Sequence, residues 1–299
     1  MKVNNEKIKS IVYIIAAIGI SLLVPWGFYW LVDLGVYNYI INTVSTGRTD
    51  QIQAYLTWYS NYEWILFIIE FLLNISVTAV VFKYMLKLSL SNIKDWFPLQ
   101  NIREFVIGLL LGVSAITIVF FTLVLTGNVS VTSWQPRFTN NVLKYLVVFI
   151  LVGVSEELFY RGFIITCLRT YKNRWFAILF SSLIFSLVHF INNEFNLLAF
   201  LNIMLIGLMF AYAFLETKSL WLPIGYHILW NYFQGNVYGF HVSGITIQGI
   251  FTIEYGDSNL FNGGVFGPES GLITTLVTLL VILFLKLYLL NRKTASYSS

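Results

Sequence analysis

Charge is what this chain has least of. Asp, Glu, Lys and Arg make up 11% of its 299 residues, against roughly 25% in soluble globular domains. That shortage excludes a soluble surface of ordinary polarity. Cysteine is nearly absent too: Cys167 stands alone, which excludes an intrachain disulfide and any multi-cysteine metal site. Its place at an apolar helix end reads as inert filler rather than as a nucleophile. Histidine occurs three times, never in a His-Glu-x-x-His arrangement, so the local signature of a zinc protease helix is missing.

Apolar residues fill the space. They make up 58% of the chain, and the mean hydropathy is +0.75. They come in blocks of about 20 residues, the length a helix needs to cross hydrocarbon. The expectation is an all-α, polytopic transmembrane helical bundle of about eight spans: 11–32, 62–86, 104–126, 142–168, 175–191, 197–215, 219–239 and 272–290. The first run is too long for a signal peptide and no small-x-small cleavage site follows, so it reads as a retained span. With both termini cytosolic, fourteen of the 18 basic residues fall inside: Lys2, Lys7, Lys9, Lys83, Lys87, Lys94, Arg103, Arg169, Lys172, Arg174, Lys218, Lys286, Arg292 and Lys293. Arg48, Arg137 and Lys144 fall outside, as the positive-inside rule requires, and Arg161 lies within a span. The net charge of +4 therefore sits between spans and gives no reason to expect nucleic acid. The lipid bilayer is the expected surrounding. Without repeats or a polar interruption of domain length, residues 1–299 read as one membrane domain. Its core is about 142–235, flanked by spans within 11–126 and by 272–290.

Polar residues at membrane depth are costly and tend to be functional. Ser155-Glu156-Glu157-Leu158-Phe159-Tyr160-Arg161 places two acids and an arginine within two helical turns. Glu157 and Arg161 are four apart and share a face, where an ion pair can form. Glu156 is rotated from Glu157 by about 100°, so one acid pairs structurally and the other stays available. Phe185-x-x-x-His189 and His227-x-x-x-Asn231 each place two residues on one helix face. At about 1.5 Å per residue, Glu156, His189, His227 and Asn231 reach overlapping depths on three helices. Other polar residues have plainer readings: Glu70 and Asn74 satisfy each other or a neighbour, and Asn202 hydrogen-bonds between helices.

A carboxylate, two imidazoles and an amide suit water activation and oxyanion stabilisation. In one arrangement Glu156 activates water, His189 orients it, and His227 with Asn231 binds the oxyanion. In another, Glu156, His189 and His227 hold Zn2+, which lowers the pKa of bound water. Ser186, three residues before His189, is a poor serine nucleophile because no acid is locally placed to orient that imidazole.

Glu156-Glu157-x-x-x-Arg161, Phe185-x-x-x-His189 and His227-x-x-x-Asn231, in that order on successive spans, resemble the signature motifs of the CPBP intramembrane protease family. That family includes CAAX prenyl endopeptidases and bacterial bacteriocin-processing or self-immunity proteins of the Abi type. Gln234-Gly235, Val242-Ser243-Gly244 and the run from Gly263 to Glu269 resemble its bacterial branch. The resemblance implies an intramembrane endopeptidase of a bacterial cell membrane, acting on a peptide or a membrane-associated protein. In it Glu156 is the base, His189, His227 and Asn231 complete the site, and Glu157, Arg161 and Phe185 support it. The family is classed as metalloprotease, which implies zinc as cofactor. A competing expectation is a non-catalytic immunity or scaffold protein that binds a peptide or membrane partner. A proton-coupled transporter fits less well, because the two halves lack matching discontinuous segments.

Overall fold

A computed structural model of the chain describes residues 2–44, 47–87 and 93–297, with the side chains of 2–4 and 293–297 outside the described set. The side chains of Lys2 and Lys293, two of the charges assigned above to the cytosol, therefore lie outside the described residues.

Backbone N–H and C=O groups have no water to bond in hydrocarbon, so an apolar spanning segment must satisfy them internally as helix. Among the described residues the chain does so in eight main helices: α1 (Lys2–Thr43), α2 (Arg48–Met85), α3 (Ile102–Leu125), α4 (Asn141–Glu157), α5 (Arg174–Val188), α6 (Leu197–Thr217), α7 (Trp221–Tyr232) and α8 (Leu272–Tyr297). The molecule is an all-α polytopic bundle, and helix covers each of the eight expected segments. Among the described residues, six helices are long and apolar enough to cross a membrane: α1, α2, α3, α5, α6 and α8. The other two are interrupted. α4 runs into a π-helical stretch, Leu158–Ile164, before the last turn Ile165–Leu168, and α7 runs into a second, Phe233–Val237. π-helical turns inside helices are rare and frequent at functional sites. Both extend helices that carry candidate residues, α4 with Glu156 and α7 with His227 and Asn231.

Two features differ from the hydropathy reading. α1 and α2 contain 42 and 38 residues, which at 1.5 Å per residue makes each roughly twice as long as hydrocarbon is thick. Hydropathy marked only their apolar middles. In addition, Val129–Ser133 (β1) pairs antiparallel with Thr252–Tyr255 (β2), Val129 opposite Tyr255, sewing the segment after α3 to the one before α8.

Among the described residues α3 and α7 pack against each other more extensively than any other helix pair. Gly108 and Gly112 of α3 lie against the carbonyls of Leu222 and Tyr226, and Gly225 of α7 lies against that of Phe105, leaving no room for a Cβ. Small residues permit this approach, and packing of this kind drives helix association where lipid removes the hydrophobic incentive. Phe120, Phe210 and Tyr226 fill the core around the crossing, while residues such as Leu125, Phe284 and Leu280 face outward. Asn202 has the interhelical role expected of it. Its amide donates to the carbonyls of Glu269 (2.8 Å) and Gly271 (3.0 Å), and it accepts from Thr275 (2.6 Å). That clasp fixes the turn Pro268–Ser270 between α6 and α8.

Candidate active site

The two adjacent acids at the end of α4 separate as helical rotation requires. Glu157 is fully buried and pairs with Arg161, whose Nη1 donates to Oε1 over 2.7 Å. The same oxygen lies 3.1 Å from Nδ1 of His227. An ionised carboxylate only accepts, so Nδ1 carries the proton and the imidazole orientation is set. Nε2 of His227 then lies on the opposite side of the ring, 3.9 Å from Oε2 of Glu156. That separation is too long for a direct hydrogen bond. Glu156 Oε2 is itself buried and has no protein partner, and a buried polar atom without a partner calls for one. Arg161, Glu157 and His227 thus form a linked chain that points toward a buried Glu156 oxygen without a protein partner.

Phe185 forms part of the wall. Its ring lies over the Arg161 guanidinium at 4.3 Å and meets the rings of His189 and His227 edge-on, at 5.0 and 6.3 Å. His189 opens the 3₁₀ turn His189–Ile191 after α5, and its Nδ1 donates to the Phe185 carbonyl over 2.7 Å. A carbonyl can only accept, which leaves Nε2 of His189 for the cavity. Asn231 is buried one turn after His227 on α7. Glu156, His189, His227 and Asn231 all line one cavity of about 780 Å³, together with Phe185. That size is within the usual range for ligand pockets. The expected quartet is therefore brought together, with Glu157 and Arg161 behind it.

The alternatives read from sequence fare less well. Ser186 donates its hydroxyl to the Phe200 carbonyl at 2.7 Å, a packing bond between α5 and α6. Cys167 is buried and free. For zinc, the donor types are suitable and Glu156 Oε2 is unpartnered, but among the described residues no three His, Cys, Asp or Glu side chains converge closely enough to hold a metal ion. In this geometry Glu156, His189 and His227 do not form a ligand set.

Two acids on the cavity wall received no site role from sequence reasoning. Glu70 of α2 accepts from the Tyr29 hydroxyl of α1 at 2.8 Å, whereas Asn74 Oδ1 is buried without a partner. The neighbour that satisfies Glu70 is thus a tyrosine 41 residues away, not Asn74. Glu269 lies in the turn Pro268–Ser270 and accepts the Ser243 N–H (2.6 Å) and hydroxyl (2.9 Å) on Oε2. Burial holds its carboxyl above the ordinary range, against the pull of the Ser243 donors and Gln234. Its run of glycines marked it as family-like but gave it no role.

Residues 138–233 match the model of the family described as type II CAAX prenyl endopeptidase Rce1-like. A Bacillus subtilis (strain 168) protein named "Putative membrane peptidase YdiL" is 35% identical over 89 residues, which are 29% of this chain and 34% of that protein. The match thus spans about a third of the relative's length. No solved structure matches the chain. The matched segment runs from just before α4 to the end of α7 and contains every residue of the three motifs, in agreement with the resemblance to the CPBP proteases. The apolar helices and these matches mark an integral membrane protein of a bacterial membrane.

Proposed function

Taking the Rce1-like segment as the working part of this membrane protein, we propose that the chain is an intramembrane endopeptidase that hydrolyses a peptide bond of a peptide or membrane-associated protein. The observation that carries the reading is the buried, unpartnered Glu156 Oε2 facing Nε2 of His227 across 3.9 Å at the wall of the shared cavity. A water molecule fits the role of the missing partner. Glu156 takes a proton from it as the oxygen attacks the scissile carbonyl carbon, and His189 Nε2 orients the same water from the other wall. His227 is flanked by two carboxylates, and with Arg161 an imidazolium there balances both acids. Its Nε2–H and the Asn231 amide then donate to the oxyanion. When the C–N bond breaks, the leaving nitrogen takes the proton held by Glu156, giving a free acid and a free amine. Zinc at Glu156, His189 and His227, the family's metalloprotease assignment, would supply a more acidic bound water. Because those side chains do not converge, every step here belongs to the chain's own residues.

The test is cleavage by the purified full chain in liposomes, read by mass spectrometry on apolar peptides and small membrane proteins. Glu156→Ala is expected to reduce turnover by about 10²–10⁴-fold, the usual worth of a general base, with an unchanged unfolding midpoint. Asn231→Ala is expected to cost about 10²–10³-fold, as for an oxyanion donor. Full activity in Glu156→Ala would overturn the proposal. A biological phenotype that survives in Glu156→Ala while no substrate is cut would instead identify a non-catalytic immunity or scaffold protein.

A further inference from the structure

A buried O–H or N–H without a partner costs free energy that folding alone gives no reason to keep. Such groups gather around one cavity here: among the described residues, Ser21, Asn74, Glu156, Tyr226 and Trp230 line it and each has a buried polar atom with no partner. Two of these five are the most enclosed. Tyr226 and Trp230 are 0% and 2% exposed, so neither lipid nor bulk water reaches the Tyr226 hydroxyl or the Trp230 indole N–H. They lie one turn apart on α7, each immediately before a site residue, His227 and Asn231. Their rings stack at 5.8 Å and 13°, while Phe210 meets the Tyr226 ring at 5.4 Å and the His227 ring at 5.7 Å. Packing thus holds both rings beside the groups assigned to the scissile bond.

An indole N–H only donates and a phenol O–H readily does, so the group that fits both is an acceptor. Three carboxylates, Glu70, Glu156 and Glu269, line the same cavity, and among its described lining residues there is no Lys or Arg. A further anion would meet repulsion there, whereas a neutral carbonyl oxygen would not. A substrate peptide brings such oxygens. Its segment must leave the helical state for water to reach the scissile carbon, and each carbonyl freed in this way lacks a partner at membrane depth. We propose that Tyr226 and Trp230 form a carbonyl-binding subsite, whose hydroxyl and indole N–H donate to backbone carbonyl oxygens flanking the scissile bond of the unwound substrate. The scissile carbonyl itself stays with His227 and Asn231. The identity of the ligand rests on the endopeptidase reading; the two unpaired donors do not.

The experiment uses the full chain in liposomes and the peptides of the cleavage screen, each carrying a fluorophore. Kd is read by anisotropy in a Glu156→Ala background, and KM and kcat with Glu156 intact. Tyr226→Phe keeps the ring and its stack and removes only the hydroxyl. Kd and KM are each expected to rise roughly 3- to 10-fold, the usual worth of one hydrogen bond, with kcat within about twofold. The unfolding midpoint is expected to hold or rise, because an unpaired group has gone. Trp230→Phe is expected to weaken binding at least as much. A scan of single thioamides, which are weaker acceptors, is expected to find one flanking position whose loss disappears when Tyr226→Phe is added, as coupled partners behave in a double-mutant cycle. Unchanged Kd in Tyr226→Phe overturns the proposal, as do losses that add at every thioamide position. A lowered midpoint or failed folding of Tyr226→Phe overturns it too, by showing the hydroxyl already bonded within the fold. If Trp230→Phe does not fold, Tyr226→Phe and the scan decide. If the wild-type chain cuts nothing, the endopeptidase reading fails; a peptide still bound, and bound more weakly by Tyr226→Phe, keeps the subsite, whereas no bound peptide overturns both.

Discussion

Arg161 is a fully buried cation whose stem and guanidinium lie among Phe185, Phe210 and Tyr160, with Glu157 as its ion partner. Removing one member of a buried pair leaves the other uncompensated, at about 3–5 kcal/mol. Arg161→Leu is thus expected to lower the unfolding midpoint in detergent sharply. Replacing Glu157 and Arg161 together by leucine is expected to destabilise less, yet still to abolish cleavage, because His227 loses the acceptor for its Nδ1–H. Ser186→Ala, by contrast, is expected to leave turnover intact, since its hydroxyl is spent on the Phe200 carbonyl. At this scale the sequence was informative about pairs four apart. Glu157 with Arg161, and Glu156 rotated away from them, follow from helix geometry alone. The bond from Glu157 to His227 spans 70 residues, and no local periodicity encodes it.

Among the elements, α7 matters most, since His227 and Asn231 ride on it and its position is set by close approach to α3. A Cβ on Gly112 would run into the Tyr226 carbonyl, which is backbone and cannot swing aside. Gly112→Ala is expected to cost about 1–3 kcal/mol, as overpacking does. It should also reduce cleavage by moving His227, seen as a fall in kcat beyond the loss of folded protein. Gly19, where an added Cβ would meet nothing within 4 Å, is the control: Gly19→Ala is expected to leave both quantities unchanged. Hydropathy alone located the eight main helices of the described residues, because apolar backbone in hydrocarbon must be helical, and six of them are long and apolar enough to span. It did not reveal the π-helical stretches after Glu157 and Tyr232, since one extra residue in a turn barely alters an apolar run. Nor did it show how far α1 and α2 extend, because propensity and packing continue a helix past its apolar stretch.

For the whole molecule, sidedness and metal dependence are the properties to measure. In a Cys167→Ser background, single cysteines at Lys218 and Arg137 are expected to react with an impermeant thiol reagent from opposite faces of the membrane. Labelling of both from one face would overturn the eight-span arrangement with cytosolic ends. Since no three ligands converge among the described residues, dialysis against a strong chelator is expected to leave cleavage within about twofold, whereas a bound catalytic zinc would make activity follow metal content. The sequence by itself determined the class of the molecule and the identity of the polar helices. Both follow from the cost of charge in hydrocarbon, which a chain meets only where it builds something with it. Tertiary structure alone decided the partners: Glu157 to His227, Tyr29 to Glu70, and Ser243 to Glu269. Those contacts join residues far apart in the chain, and their distances are set by how helices and the loop before α8 pack, which no spacing records. Glu156 is the point where the two meet: rotation along one helix frees it, and the packing of the others gives it His227 and a cavity to face.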